Sequence, residues 1–161
     1  MVILNNPSLP KDPDIVLINQ AVSAGIRHIG IATYSSGKVK AFLVNKGYSE
    51  FVAEDAVAEL VRSGYINDEK ASGRILRYRT GTKQESSAFI YNRLLDAGIA
   101  ENVASKICQE LPSDRDTCLC LYKALGIMED TDPVREEYLK QAFKRGYSYE
   151  IASSVFDSLE D

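Results

Sequence analysis

Three glycines in this chain head nearly the same phrase, and their spacing limits the fold more than any other feature. The phrases are Gly47-Tyr48-Ser49-Glu50, Gly98-Ile99-Ala100-Glu101 and Gly146-Tyr147-Ser148-Tyr149-Glu150, which lie 51 and 48 residues apart. Counting forward from each glycine, offset 5 holds Val52, Val103 and Ile151, and offset 6 holds Ala53, Ala104 and Ala152. Offset 9 holds Ala56, Ile107 and Val155, offset 10 holds Val57, Cys108 and Phe156, and offset 13 holds Leu60, Leu111 and Leu159. These offsets form one face of an α-helix and match no strand, whose side chains alternate with a period of two.

Counting backward finds a second helix. Val39, Ile90 and Tyr138 stand eight residues before the glycines, Leu43, Leu94 and Ala142 four before, and Val44, Leu95 and Phe143 three before. Each glycine thus follows the last turn of one helix, where a left-handed residue is cheapest without a Cβ. Ser49 and Ser148 are expected to cap the next helix, with Glu50, Glu101 and Glu150 near its positive end. A leading helix fits in each unit, over residues 14–33, 67–79 and 114–125. The expected fold is all-α, an elongated and curved tandem array of three three-helix repeats. Its parts are a polar lead (1–13) and repeats over 14–63, 64–111 and 112–161. Gly47, Gly98 and Gly146 are the structural turns of those repeats.

Composition narrows the function classes. Nineteen Lys and Arg against 23 Asp and Glu leave a net charge of −4, which argues against a uniformly basic polyanion binder. One His (His28) and three Cys (Cys108, Cys118, Cys120) leave most zinc arrangements short of ligands. No cofactor or metal is expected. The beginning MVILNNPSLPKDPD lacks the basic and apolar regions of a secretory signal, and no stretch is apolar enough for a membrane span. The expectation is a cytoplasmic protein with no membrane partner.

Ser36-Gly37-Lys38-Val39-Lys40-Ala41-Phe42-Leu43-Val44-Asn45-Lys46-Gly47-Tyr48, followed by Leu60 and Gly64-Tyr65-Ile66-Asn67-Asp68-Glu69-Lys70, resembles the RecX family of recombination regulators. Arg79-Thr80-Gly81 and then Ile90, Leu94, Gly98 and Ile99 continue the likeness, which runs from about residue 15 onward. The resemblance implies a small modulator of the RecA recombinase in DNA repair, recombination and the SOS response. Such proteins bind the RecA filament on single-stranded DNA and reduce its growth, ATP hydrolysis, strand exchange and coprotease action, without catalytic residues of their own. The stretch before Gly98, commonly rich in Arg and Lys in that family, here reads Glu85-Ser86-Ser87-Ala88-Phe89-Ile90-Tyr91-Asn92. That departure moves the expectation away from direct DNA contact and toward a protein filament.

The charge is uneven along the chain. Residues 1–63 hold six basic and six acidic residues, 64–111 seven and six, and 112–161 six and eleven. Lys70, Arg74 and Arg77 share a helical stripe about 60° wide, and Arg79 and Lys83 follow it. Lys38, Lys40 and Lys46 lie on or beside the second helix. These eight residues are the candidate filament- or DNA-binding face, and the competing reading of each cluster is a solvated helix surface. A helix-turn-helix reading fails, because the second helices carry Glu50, Glu54, Asp55 and Glu59, then Glu101 and Glu110, then Glu150 and Asp157.

The remaining chemistry-bearing residues read as structural. Cys118 and Cys120 point about 200° apart on a helix, too far around to share a metal easily. Cys108 occupies a core offset and His28 has no nearby partner in sequence, while Tyr78 between Arg77 and Arg79 suggests base stacking, but on a helix those neighbours point apart and it reads as a core tyrosine. Asn67, Asp68 and Glu69 read as a helix start, and no triad, phosphate loop or carboxylate pair stands out. Two functions follow: a monomeric RecX-like regulator docked on a RecA filament, meeting single-stranded DNA mainly as part of it, or a helical scaffold for another protein. A cryptic enzyme is the weakest reading.

Overall fold

At each of the three phrase glycines the backbone turns left-handed, with φ of +101° at Gly47, +81° at Gly98 and +84° at Gly146. The Tyr48 N–H donates to Leu43 O at 3.2 Å and the Gly47 N–H to Val44 O at 2.9 Å. That crossed pair is the Schellman arrangement, which satisfies carbonyls a helix end would otherwise leave bare. It recurs as Ile99 N–H to Leu94 O (3.0 Å) with Gly98 N–H to Leu95 O (2.9 Å). At the third turn Tyr147 N–H donates to Ala142 O (3.2 Å) and Gly146 N–H to Phe143 O (3.0 Å). Ser49 and Ser148 then cap the following helices, accepting from Val52 N–H at 3.2 Å and Ile151 N–H at 3.3 Å.

The structure, a computed structural model, describes residues 12–158, so Leu159 and nearly all of the polar lead lie outside the described residues. The described chain is all-helical. In order, the helices are α1 (Pro13–Ile29), α2 (Ser36–Asn45), α3 (Glu50–Arg62), α4 (Asp68–Leu76), α5 (Ser87–Asp96) and α6 (Glu101–Glu110). They continue as α7 (Asp114–Ala124), α8 (Asp132–Phe143) and α9 (Tyr149–Asp157), and a single 3₁₀ turn covers Gly81–Lys83.

The chain divides into two compact units, one ending at Asn67 and one beginning at Asp68. In the first, α1, α2 and α3 pack mutually around Ala21, Ala24, Val39, Leu43, Val52, Ala53, Ala56 and Leu60. Gly25 lets α3 approach α1, since a Cβ there would stand 2.6 Å from Leu60 Cδ1. His28 stacks on Phe42 with ring centroids 3.7 Å apart. It is a packing residue.

The second unit contains two apolar clusters. Around Ile90, Leu94, Ile99 and Ala104, helices α4, α5 and α6 come together. Around Cys118, Leu121, Tyr138, Ala142, Tyr147, Ala152, Val155 and Phe156 it is α7, α8 and α9. Ala100 precedes α6 and has no side chain to cap it, so Asp68 at the start of α4 accepts its N–H at 2.8 Å. Asp114 at the start of α7 similarly accepts the Ser87 N–H at 2.7 Å. Capping therefore accounts for Asp68. The α8–α9 turn docks on the start of α5: the Ser86 N–H donates to Arg145 O at 2.9 Å, and Arg145 Nε to Thr82 O at 2.7 Å.

Several expectations are corrected. Helix α1 stops at Ile29, because Gly30 turns to φ +52°, and Ile31 is left fully exposed. Helix α4 stops at Leu76, short of residue 79, and Tyr78 is 66% exposed, so it is not a core tyrosine. Leu95 and Phe143, three residues before their glycines, are also exposed, because the helical face turns out of the core there.

The glycine turns can be separated by substitution. A Cβ at Gly47 meets nothing within 4 Å, whereas one at Gly146 would stand 2.5 Å from Ser86 Oγ and 2.6 Å from Phe89 Cγ. Gly47→Ala is expected to cost about 1–2 kcal/mol from the left-handed backbone alone. Gly146→Ala adds overpacking of about 1–3 kcal/mol. Urea unfolding monitored by circular dichroism measures both, and equal losses would refute the docked turn.

Candidate interaction surface

Within the first unit the three candidate lysines have different surroundings. Lys38 is exposed on α2 and forms no ion pair among the described residues. Lys40, one helical face away, donates to Glu54 Oε1 at 2.7 Å and lies 3.9 Å from Glu50 Oε2. The hydrogen bond to Glu54 holds its ammonium above the ordinary lysine range. Lys46, at the end of α2, sits 5.6 Å from the Phe42 ring centroid with its charge toward solvent. Lys40 is thus engaged by the acidic helix α3, while Lys38 and Lys46 present charge to solvent.

The candidate residues of the second unit follow one continuous segment. From Lys70 to Gln84 the chain carries five basic residues and no acidic one. Lys70, Arg74, Arg77 and Lys83 are all exposed, and Arg74, Arg77 and Lys83 form no ion pair among the described residues. Although α4 ends at Leu76, the Arg77 N–H still reaches Gly73 O at 3.2 Å, so Arg77 keeps the helical register. Lys70, Arg74 and Arg77 therefore do share one stripe of α4. Arg79 is different: it turns inward, its Nε 3.9 Å from Glu85 Oε2, and that Nε has no hydrogen-bond partner among the described residues.

Glu85 explains why the stretch before α5 is not an acidic surface. Its side chain is only 7% exposed, and Arg93 clamps it through Nε and an Nη, both at 2.5 Å. That bidentate pair raises the Arg93 pKa, with the hydrogen bond to Glu85 as the main cause. Sequence reasoning missed this clamp, because Glu85 precedes the cap of α5 and Arg93 lies eight residues on, outside the three- and four-residue spacing at which helix side chains ordinarily pair. Other cations are also occupied: Lys106 pairs with Glu69 at 2.9 Å, and Arg135 with Asp157 at 2.5 Å.

Among the described residues no three His, Cys, Asp or Glu side chains are grouped to hold a metal ion. Cys118 is buried 3.2 Å from the Tyr138 hydroxyl, Cys120 is exposed on the other side of α7, and all three cysteines are free. Burial pushes the Cys108 and Cys118 thiols up from their ordinary value, which disfavours the thiolate. No helix among the described residues is long and apolar enough to cross a membrane.

No family model matches this chain. Among curated proteins it is similar to the regulatory protein RecX of Leuconostoc citreum, 22% identical over 147 residues that make up 88% of this chain and 55% of the relative. It is 27% identical over 93 residues to the regulatory protein RecX of Pelodictyon phaeoclathratiforme, 58% of each chain. The chain spans about half the length of the curated relatives it matches. Its fold matches a crystal structure of RecX from Lactobacillus salivarius with a TM-score of 0.68, over 91% of this chain and 98% of that one, at 16% identity. A second crystal structure of a regulatory protein RecX matches with a TM-score of 0.64 at 12% identity, covering 96% and 81%.

The contrast between clamped and free charges predicts a stability difference. Glu85→Ala leaves Arg93 and the inward-turned Arg79 without their acid, and is expected to cost about 1–3 kcal/mol. Lys38→Ala, an exposed change, should stay within about 0.5 kcal/mol. Urea midpoints decide it, and two small, equal shifts would show that the clamp carries no stability.

Proposed function

From the RecX family, which both the sequence relatives and the fold support for this chain, we propose a regulator that binds the RecA–single-stranded DNA filament. Binding inhibits filament extension, ATP hydrolysis and strand exchange. The observation that carries the proposal is the acid-free Lys70–Gln84 segment on a RecX fold, with Arg74, Arg77 and Lys83 exposed and not committed to an ion pair among the described residues. Charged side chains that already hold an acid contribute little to a new partner, because binding must first break that pair. The uncommitted cations break no existing pair on meeting phosphates or an acidic protein surface.

The protein acts here as a monomer in the cytoplasm, without a cofactor and without chemistry of its own. Its three helical units (14–63, 64–111 and 112–161) engage successive filament subunits, so that weak contacts combine through effective concentration. The residues assigned to that contact are Lys38, Lys46, Lys70, Arg74, Arg77 and Lys83. Lys40 and Arg79 support it only if their acidic partners are displaced. Bridging raises the cost of adding or rearranging a subunit, and the filament stalls. A second reading, a scaffold for a different protein without nucleic acid, is favoured by the acidity of residues 112–161, with eleven acidic residues against six basic.

The test is RecA ATPase on single-stranded DNA, with RecA from the same organism, titrated with this protein. Inhibition at amounts stoichiometric with RecA is expected, and the triple change Lys70/Arg74/Arg77→Glu should weaken it about tenfold or more while helicity is kept. Full ATPase activity at stoichiometric protein would instead favour the scaffold.

A further inference from the structure

Two features of the segment 70–84 are left unexplained by packing. The first is Tyr78. It lies in the turn after α4, is 66% exposed, and no ring or hydrogen-bond partner holds its side chain among the described residues. Burying a tyrosine is favourable, so a large aromatic ring left mostly in water, next to the exposed Arg77, contributes little to stabilising the fold. The turn is built by the backbone alone: Tyr78 N–H donates to Ile75 O at 3.3 Å and Arg79 N–H to Leu76 O at 2.9 Å.

The second is Gly73, in the body of α4. Glycine inside a helix is less stable than alanine there. Its φ is not left-handed, and a Cβ built on it meets nothing within 4 Å, so neither backbone conformation nor packing calls for glycine. At about 100° per residue, Gly73 falls about 40° from Arg77 and about 60° from Lys70. It is a bare patch of backbone on the edge of the basic stripe. A missing Cβ at such a place lets something outside the fold approach the helix closely.

We infer that the exposed face of α4 and Tyr78 form a docking surface for a single strand of DNA, with phosphates along Gly73, Arg74 and Arg77 and a base stacked on the Tyr78 ring. Exposed cations beside an exposed aromatic ring are the combination that single strands select, since every base has a face to stack and every linkage carries a charge. A protein surface rich in acids would satisfy the cations, but it would have no use for a flat ring and a stripped helix backbone together. No acid interrupts the cations from Lys70 to Gln84; Glu69, four residues before Gly73, is held by Lys106 at 2.9 Å, and Glu85, the next acid along the chain, is buried and clamped. The proposal deepens the filament reading by assigning direct strand contact to a particular surface of the second unit.

The experiment measures fluorescence anisotropy of a fluorescein-labelled oligo(dT) and of an abasic strand of equal length, each titrated with the full chain. Wild type should bind oligo(dT) more tightly than the abasic strand. Tyr78→Ala should weaken oligo(dT) about tenfold, leave the abasic strand unchanged and remove the difference between them, while Tyr78→Phe stays near wild type. Gly73→Ala should unfold at an equal or higher urea concentration and still weaken both strands severalfold. No binding of oligo(dT) by a wild-type protein that inhibits RecA ATPase would overturn this inference and leave the filament reading standing. Equal losses on both strands for Tyr78→Ala, or unchanged affinity for it, would overturn the stacked base. Loss of RecA inhibition by Tyr78→Ala with oligo(dT) affinity intact would assign the surface to protein instead.

Discussion

The helix–glycine–helix turn is the constraint on which the rest of the structure depends. Its crossed hydrogen bonds end one helix, and the serine two residues on starts the next in two of the three cases. The chain has no slack between the two helices, so the apolar residues before and after the glycine are delivered to one cluster. Val39 and Leu43 thereby meet Ala53, Ala56 and Leu60, and Tyr138 and Ala142 meet Ala152, Val155 and Phe156. Small residues at the sixth offset, always alanine and always fully buried, allow the two helices to lie close. Where a turn is itself packed on a neighbouring helix, as at Gly146 against Phe89, the missing Cβ serves a second purpose.

Charge in this molecule is organised by pairing more than by count. Lys40, Arg93, Lys106 and Arg135 each hold an acid at hydrogen-bonding distance, and those acids are thereby quiet. From Lys70 to Gln84 the cations of α4 and the following turn are interrupted by no acid, and Glu69 just before them is held by Lys106. A net charge of −4 therefore coexists with a local surface suited to a polyanion. Screening limits each exposed charge to a range of about 8–10 Å at ordinary salt, so the local arrangement outweighs the total.

Much of the helical pattern was legible because its causes are local. Glycine after the last turn, serine at the cap and apolar residues at offsets 5, 6, 9, 10 and 13 each act through the nearest few residues or one helix face. The ends of α1 and α4 were less legible. Apolar spacing continues past Ile29 and past Leu76, so a periodic pattern overruns the true ends when Gly30 turns left-handed or the last turn tightens. The eight candidate cations were equally visible in the sequence, but their availability was not. Lys40 and Lys38 look alike two residues apart, and only the approach of α3 distinguishes them.

By itself, the sequence determined an all-α chain, the places where its helices reverse and the residues that face inward, because hydrogen-bond geometry and helical periodicity are written within a few residues. It also contained the resemblance to RecX, carried by short phrases. Tertiary structure alone decided that Glu85 is buried in the grip of Arg93, that Gly25 admits Leu60, and that Tyr78 stands in water rather than in the core. Each of those outcomes depends on what packing does or does not bring alongside, and burial, unlike helicity, is a property of the partner as much as of the residue.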